Sequence, residues 1–304
     1  MSDAKSENTP EKTSFPADKA IENLISTFNE LNSNVIDEFQ DEPSPLEFMR
    51  YVARNTPFVV RGGASSWKAC REWNSAYLLS ALKGHNADMP TVPPGEESLV
   101  FAKPHYEDQR FEDLLEYVAR QETDPDFPAD AEVRYAQTQN DNLREEYVSL
   151  FSDVQKDVPF ARIALAKDPD AINLWIGNSK SVTAMHKDNY ENIYVQVLGR
   201  KHFVLLPSLC HPCVNEQPLK PATYKRGNNG MQLEMDSNSE SVPFAIWDPD
   251  RPEQNATKFS HLARPLRVTL NPGDMLYLPA MWYHKVLQSC DEEDEGFVLA
   301  VNYW

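Results

Sequence analysis

The second half of the chain consists of short strand-like segments that are separated by turns. From about Ala171 onward the segments are apolar or alternate apolar and polar residues, and Pro or Gly residues mark the turns; the segments are AINLWIG, SVTAMHKDNYENIYVQVLG, RKHFVLLP, LRVTLNPGDMLYLPAMWYHKVLQS and GFVLAVNYW. Several short strands with such turns are typical of a β-sandwich or barrel. No clean linker interrupts the pattern, so we expect helices to buttress one β core.

The first half of the chain alternates predicted helices with short strands. Apolar residues recur at helical spacing from Asp18 to about Phe39, with a break expected at 32–34. A second helix is predicted to begin near Ser44, because Glu47 lies three residues later and completes a capping box.

We therefore divide the chain into three parts. Residues 1–18 are rich in Ser, Thr, Lys, Glu and Pro and are expected to form a disordered tail. Residues 19–165 are expected to form a mixed, helical N-terminal region that packs on the core. Residues 166–304 are expected to form the β core itself, within one integrated unit.

The net charge of the chain limits the kinds of macromolecule that it is expected to bind. The chain has 304 residues and a formal net charge of −18. This charge argues against a nucleic-acid surface, because phosphate binding requires local positive charge. It favours the approach of a basic protein or peptide, although acidity also simply keeps proteins soluble.

The sequence also predicts where the protein resides. The N-terminal stretch MSDAKSENTPEKTSFPADK is polar and does not resemble a signal peptide, and no apolar run is long enough to cross a bilayer. The four cysteines make no disulfide framework of the small-domain kind. We expect a protein of the cytoplasm or nucleus that does not associate with membranes.

One predicted strand carries polar residues where a core face is expected. Side chains alternate across a strand, so Ile193, Val195 and Val197 share one face of the segment 192–197. The opposite face then holds Asn192, Tyr194 and Gln196, and the same parity reaches back to Tyr190, Asp188 and His186 wherever the strand is unbroken.

These polar residues suggest a metal site. His186 and Asp188 are two residues apart and can bind one ion together, and His284 is the best third ligand. Two histidines and one carboxylate on one face of a metal are the arrangement of non-haem Fe(II) oxygenases. Each residue alone also has an ordinary interpretation, as a surface loop pair or a partly buried histidine. Their combination favours the metal site.

Lys201 begins the next strand and is predicted to enter the same interior. A lysine in an interior requires an anionic partner, and a dicarboxylate co-substrate would supply one. Thr183 and Tyr194 could add hydrogen bonds to the same carboxylate. A solvated lysine at the end of a strand is the simpler alternative.

Cys210 and Cys213 form a C-x-x-C pair that could serve redox chemistry or bind zinc. A second Cys or His pair with metal spacing is missing, and the motif lies in a Pro-rich connection after a strand. A lone motif of this kind is weak evidence. We interpret the two cysteines as structural.

Three stretches together resemble a known family. HKDNYENIYVQVLGRKHFVLLP, NPGDMLYLPAMWYHKV and AVNYW resemble the JmjC, or cupin-type, Fe(II)/2-oxoglutarate-dependent hydroxylases, and the resemblance extends over most of the chain. Within that family the sequence is most similar to lysyl hydroxylases. The resemblance implies a mainly β fold, the double-stranded β-helix or jelly roll, buttressed by N-terminal helices.

The resemblance assigns roles position by position. It makes His186, Asp188 and His284 the iron ligands, and Lys201 the partner of the far carboxylate of 2-oxoglutarate. The remaining positions that match are Thr183 and Tyr194 as hydrogen-bonding companions of that carboxylate, Asn192 and Asn302 near metal and co-substrate, and Tyr135 in the same pocket. Trp282 and the turn at 272–274 are interpreted as structural.

The implied activity is oxidative hydroxylation with Fe(II), 2-oxoglutarate and dioxygen. The resemblance implies (3S)-hydroxylation of a lysyl side chain in a protein, with translation-associated GTPases of the developmentally regulated type as substrates, and it allows a homodimer. A histone-tail endopeptidase, a lysine demethylase and a cupin scaffold without catalysis stay open as alternatives.

Overall fold

The computed structural model describes residues 16–93, 100–136, 141–228, 230–291 and 293–304. Most of the predicted disordered tail, residues 1–15, therefore lies outside the described residues. Across the described parts of the chain, every helix is too short or too polar to span a membrane.

Helices are concentrated in the first 165 residues. The α-helices are α1 (Pro16–Leu31), α2 (Pro45–Arg54), α3 (Lys68–Glu72), α4 (Ser75–Ala81), α5 (Phe111–Thr123), α6 (Asn142–Glu145) and α7 (Pro159–Leu165). Short 3-10 helices span Val148–Asp153, Ser208–Cys210 and Ser260–Leu262.

Strands continue along the whole chain and dominate its second half. They are β1 (Asp37–Phe39), β2 (Phe58–Val60), β3 (Asn86–Val92), β4 (Phe101–Lys103), β5 (His105–Arg110), β6 (Val133–Arg134), β7 (Ile172–Gly177), β8 (Thr183–Lys187), β9 (Asn192–Leu198), β10 (Arg200–Leu206), β11 (Glu216–Leu219), β12 (Pro221–Gly227), β13 (Gly230–Met235), β14 (Val242–Ala245), β15 (Leu266–Leu270), β16 (Met275–Leu278), β17 (Tyr283–Ser289) and β18 (Val298–Tyr303).

Two sheets form the core. One has six strands in the order β1-β2-β16-β9-β18-β7, and the other has four strands in the order β15-β10-β17-β8. Tyr194 and Ala300 of the first sheet pack with Phe203 and Leu205 of the second in one buried cluster. Two sheets that share an inner core in this way form the jelly roll that the sequence predicted.

The other face of the six-stranded sheet is covered by the N-terminal helices. Val195 and Val197 lie on that face and belong to a buried cluster with Phe48 of α2, Leu78 of α4 and Leu114 of α5. The alternation predicted for 192–197 is therefore confirmed: the aliphatic residues contact the helices, whereas Tyr194 points between the sheets.

The outer face of the four-stranded sheet is covered by α1 and by the long connection between β10 and β15. Ile25 of α1 packs with Val204 and Leu206 of β10. Cys210 and Cys213 follow β10, are buried in the same cluster and are free thiols. Within this connection, β12 pairs in parallel with β4 of the N-terminal region.

The chain follows the predicted helix as far as the break expected at 32–34 and departs from the helical spacing after it. The helix ends at Leu31, and Asp37–Phe39 forms β1, which pairs in parallel with β2 at the edge of the six-stranded sheet. Ile36 is buried in the core between the sheets, so tertiary packing overrides the helical spacing there. The second predicted helix begins as expected, since Ser44 and Glu47 form a complete capping box.

The N-terminal region contributes strands to the core as well as helices. Strand β2 pairs with β16 in an antiparallel ladder, so residues before 166 are part of the six-stranded sheet. The proposed division at residue 166 stays a prediction. Among the described residues, strands from both sides of this position share one sheet.

Asp274 connects these parts of the chain. Its carboxylate, 4% exposed, accepts hydrogen bonds from Arg61 Nη1 at 2.7 Å, from the Gly62 amide at 2.9 Å and from the Asn271 amide at 3.0 Å. The turn before β16 is therefore held to the end of β2 by a buried, charge-assisted network.

We expect Asp274→Ala to lower the free energy of unfolding by about 3 kcal/mol, because two backbone amides lose their acceptor in a buried site and Arg61 loses one of its charged partners. Urea unfolding of the purified variant measures this loss. Asp170→Ala is the matched control: Asp170 forms an exposed ion pair with Lys167, and its removal should cost less than about 1 kcal/mol. Equal losses in the two variants would contradict this account.

Candidate metal centre

Three predicted ligands meet at one end of the core. His186 of β8 lies directly opposite His284 of β17, and Asp188 follows β8. The two ring centroids are 4.1 Å apart, and Asp188 Oδ2 lies 3.9 Å from His186 Nε2 and 3.6 Å from His284 Nε2. The ligand atoms all lie within 4.8 Å of one another, and two imidazoles with one carboxylate fit Fe(II).

These residues do not meet along one continuous strand, as the alternation in the sequence suggested. The strand breaks after Lys187, so β8 lies in the four-stranded sheet and β9 in the six-stranded sheet. The polar residues share the interior because the two sheets face each other. Tyr190, which parity placed inside, is 48% exposed in the connecting loop and stacks on Trp304.

Backbone carbonyls orient both imidazoles. His186 Nδ1 lies 2.8 Å from the Ala184 carbonyl oxygen, and His284 Nδ1 lies 3.1 Å from that of Trp282. A proton on each Nδ1 donates to these carbonyls and leaves Nε2 free as a ligand. Burial, followed by the charge of His186, lowers the pKa of His284 well below its usual value. Its neutral form, which binds metals, is therefore favoured.

Lys201 is a buried cation of β10, the strand that pairs with β17. It is 1% exposed, and its Nζ donates a hydrogen bond to the Tyr135 hydroxyl at 2.8 Å. The ammonium also lies 5.3 Å from the ring centroids of Tyr135 and Tyr194. Among the described residues, no carboxylate lies within ion-pair distance of Lys201, and burial lowers its pKa to about 7. Such a buried, unpaired amine is complementary to a carboxylate ligand.

Tyr135 reaches Lys201 because Gly177 leaves room for its ring. A Cβ atom on Gly177 would lie 2.2 Å from Tyr135 Cδ2 and 2.9 Å from Ser181 Oγ. The close approach of ring and backbone therefore requires glycine at this position. Gly177 was not predicted, and its position at the end of a predicted strand was the only signal in the sequence.

Two further buried oxygens belong to Gln288, which pairs with Lys201 in the sheet, and to its partner Ser181, and neither residue was predicted. Gln288 lies opposite Lys201 in the ladder of β10 and β17, and its Nε2 donates to the Ser181 carbonyl at 3.1 Å. Gln288 Oε1 and Ser181 Oγ are buried and have no hydrogen-bond partner among the described residues. Unpartnered polar atoms beside an unpaired cation are consistent with a polar ligand at this place.

A bulge brings Thr183 to the same side of the sheet as the histidines. Thr183 lies opposite Val286, although His186 lies opposite His284, so the register shifts between them. Val286 belongs to the inner core. Thr183 therefore shares the inner face with His186 even though three positions separate the two residues.

The two predicted asparagines are joined in one hydrogen-bond chain. Asn302 Nδ2 donates to Asn192 Oδ1 at 3.1 Å, and Trp175 Nε1 donates to Asn302 Oδ1 at 2.7 Å. Asn192 and Asn302 are both buried between the sheets. Trp175 was not predicted, because in the sequence it is one apolar residue within a mostly apolar strand.

Comparison with known proteins agrees with this architecture. The family model described as "Cupin-like domain" matches residues 43–304. The chain is 36% identical to the protein named "Lysine-specific demethylase JMJ32" of Arabidopsis thaliana, over 94% of this chain and 86% of that protein.

Two further relatives carry different names. The chain is 34% identical to the "Bifunctional peptidase and (3S)-lysyl hydroxylase JMJD7" of Homo sapiens, over 86% of this chain and 81% of that protein. It is 28% identical to the "JmjC domain-containing protein E" of Dictyostelium discoideum, over 92% of this chain and 90% of that protein.

We expect His186→Ala and Asp188→Ala to weaken Co(II) binding by more than about 100-fold, because each removes a donor from a three-residue site. Calorimetric titration measures the dissociation constant, and thermal unfolding with and without Co(II) measures the stabilisation that binding supplies.

His202→Ala is the control for this loss. The His202 ring contacts the hydroxyls of Thr269 and Ser289, each at 2.9 Å, and is not part of the group of three. Its removal should leave Co(II) binding unchanged. Wild-type affinity in Asp188→Ala would disprove the assignment of the metal centre.

Proposed function

The chain belongs to the cupin-like JmjC family, and on that premise we propose that it is an Fe(II)/2-oxoglutarate-dependent oxygenase that hydroxylates a lysyl side chain of a protein. One observation carries the proposal: the buried, unpaired amine of Lys201 lies in the same core as the group of His186, Asp188 and His284. Such a site suits a dicarboxylate ligand, because one end of the ligand can chelate the metal while the carboxylate at the other end pairs with the amine.

The three residues of the metal centre would hold Fe(II) and leave coordination positions for other ligands. Bound iron with 2-oxoglutarate and dioxygen would supply the oxidative chemistry. The protein's own contribution is positioning: Ala184 and Trp282 orient the imidazoles through their carbonyls. Around Lys201 the buried core excludes water, which strengthens electrostatic interactions there.

The pocket around Lys201 would hold the far carboxylate of 2-oxoglutarate. Lys201 would form the charge-assisted contact, and the hydroxyls of Tyr135, Thr183 and Tyr194 would donate to the same group. Burial raises the pKa of Tyr194 well above its usual value, so its hydroxyl keeps the proton that it donates. Asn192 and Asn302 would line the space nearer the metal.

The proposed substrate is a lysine-bearing protein. A net charge of −18 favours the approach of a basic segment, and one relative is named as a (3S)-lysyl hydroxylase. On the family resemblance alone we propose a translation-associated GTPase of the developmentally regulated type. Cytoplasmic or nuclear residence and a homodimer stay predictions from the sequence.

Lysine demethylation is the second candidate, because the relative at 36% identity is named as a lysine-specific demethylase. The same metal and co-substrate sites would serve both reactions. The reactions differ in which substrate group the protein holds next to the metal, a side-chain carbon or an N-methyl group. A peptidase or a scaffold without catalysis does not account for the unpaired amine of Lys201, since neither requires a dicarboxylate ligand.

We expect incubation in air with Fe(II), 2-oxoglutarate and ascorbate to add one oxygen atom to a lysine of a candidate GTPase or of a peptide that contains both unmodified and N-methylated lysine. Mass spectrometry of the substrate distinguishes this product from loss of a methyl group and from chain cleavage. Asp188→Ala serves as the inactive control. Methyl loss without oxygen addition would favour the demethylase, and an unmodified substrate with no turnover of 2-oxoglutarate would contradict both reactions.

We expect the affinity for 2-oxoglutarate to fall as pH rises above about 7. The pKa of Lys201 is about 7 in the ligand-free protein, and a bound carboxylate favours the charged amine, so binding takes up a proton. Affinity should be constant below this pKa and fall by up to about tenfold per pH unit above it. Titration under anaerobic conditions in the presence of Mn(II) measures the profile.

Lys201→Ala should weaken 2-oxoglutarate binding by about 2–5 kcal/mol and abolish the pH dependence, while Mn(II) binding is retained. Lys225→Ala is the control, because Lys225 forms an exposed ion pair with Glu234. An unchanged pH profile in Lys201→Ala would show that a different group anchors the co-substrate.

A further inference from the structure

The third ligand follows a tight loop whose backbone is held from outside the β core. Residues 279–282, which we name the ligand loop, connect β16 to β17. The last residue of the loop lies two positions before His284. Met281 has φ of 67°, a conformation that non-glycine residues rarely adopt. Its amide donates to the Asp188 carbonyl at 2.7 Å, so the loop also contacts the segment of the second ligand.

Asn55 of the N-terminal region holds the ligand loop. Asn55 ends α2 in the left-handed conformation, with φ of 49°. The Trp282 indole Nε1 donates to the Asn55 carbonyl at 2.9 Å and to Asn55 Oδ1 at 2.5 Å. In return, Asn55 Nδ2 donates to the Ala280 carbonyl at 3.3 Å. One side chain thus contacts the loop at two residues.

The same tryptophan contacts the third ligand. The Trp282 carbonyl oxygen lies 3.1 Å from His284 Nδ1, the contact that leaves Nε2 directed toward the metal centre. Trp282 is 5% exposed and packs in the core between the sheets, so its indole has little freedom to move. A continuous path therefore runs from Asn55 through Trp282 to the His284 ring.

We infer that Asn55 is a positioning residue for His284, and that the N-terminal helical region sets the geometry of the metal centre as well as supporting the sheet. This inference rests on the proposed function only in requiring that the site hold a metal ion. Partners outside the first coordination shell alter metal affinity when they orient a ligand.

Asparagine at position 55 suits both the end of α2 and the contact with the ligand loop. Asparagine tolerates the left-handed backbone that ends α2. Its amide also provides one acceptor for the indole and one donor for the Ala280 carbonyl. Glycine would keep the backbone without strain but lose both side-chain contacts, and phenylalanine at 282 would keep an aromatic ring but lose the donor.

The ligand loop has a second attachment that should preserve folding when Asn55 is changed. Glu191 accepts from the Tyr277 hydroxyl at 2.6 Å and from the Ala280 amide at 3.4 Å. Asn55→Gly therefore loosens the loop on one side only. If Asn55→Gly does not fold, Asn55→Asp retains the acceptor for Trp282 and replaces it in the experiment.

The experiment compares Co(II) binding in the wild type, Asn55→Gly, Trp282→Phe and the double variant. The readouts are the dissociation constant and the visible ligand-field absorption of bound Co(II), which reports the coordination geometry. Asn255→Gly is the matched control: Asn255 also has a left-handed backbone, φ 53°, and its Nδ2 donates to the Ile246 carbonyl at 3.1 Å, away from the ligand loop.

We expect Asn55→Gly and Trp282→Phe each to raise the Co(II) dissociation constant by about tenfold and to alter the absorption band. The loss in the double variant should be smaller than the product of the two single losses, because both changes remove the hydrogen bond from Trp282 Nε1 to Asn55 Oδ1. Asn255→Gly should match the wild type in affinity and absorption. Asn55→Asp, if used, should show a smaller loss than Trp282→Phe.

Wild-type affinity and absorption in Asn55→Gly would overturn the inference and leave the proposed function intact. Loss of folding stability in Asn55→Gly with unchanged Co(II) binding would do the same, since it would show a purely structural role. A wild-type protein that binds no Co(II) would instead overturn the proposed function, and this inference with it.

Discussion

The antiparallel pairing of β8 with β17 is the constraint on which the candidate site depends. It places His186 opposite His284, at the distance where cross-strand side chains interact. The six-stranded sheet faces this pair, and the break after Lys187 carries the chain from one sheet to the other past Asp188. A shift of one residue in this register would turn one histidine to the outer face.

Lys201 shows that the fold is not arranged for stability alone. An amine whose pKa is lowered to about 7 destabilises the folded protein at and below neutral pH, by about 1.4 kcal/mol for each unit of the shift. The described residues offer it a phenol and two aromatic rings but no carboxylate. Groups left unsatisfied in this way are expected where a ligand completes the structure.

Local patterns predicted much of the fold. The capping box at Ser44 depends on residues three positions apart, and the alternation in β9 depends on neighbours along one strand, so both were readable from the sequence. The helix predicted from Asp18 ends at Leu31, beside the break expected at 32–34, but the helical spacing did not predict β1, which forms by pairing with β2 while Ile36 enters the core between the sheets. No local spacing specifies a partner strand.

Residue types and their spacing were enough to predict the chemical groups of the candidate site, which are two imidazoles, one carboxylate and a lysine, and the alternation that directs Tyr194 inward. The other residues of the site are set by contacts between segments that are distant in the sequence. Trp175 contacts Asn302, Gln288 lies opposite Lys201, and Asn55 holds the loop before His284. These contacts follow from sheet register and from the packing of helices between distant segments. Cooperative burial of the core selects that register and packing, and short-range sequence patterns do not encode them.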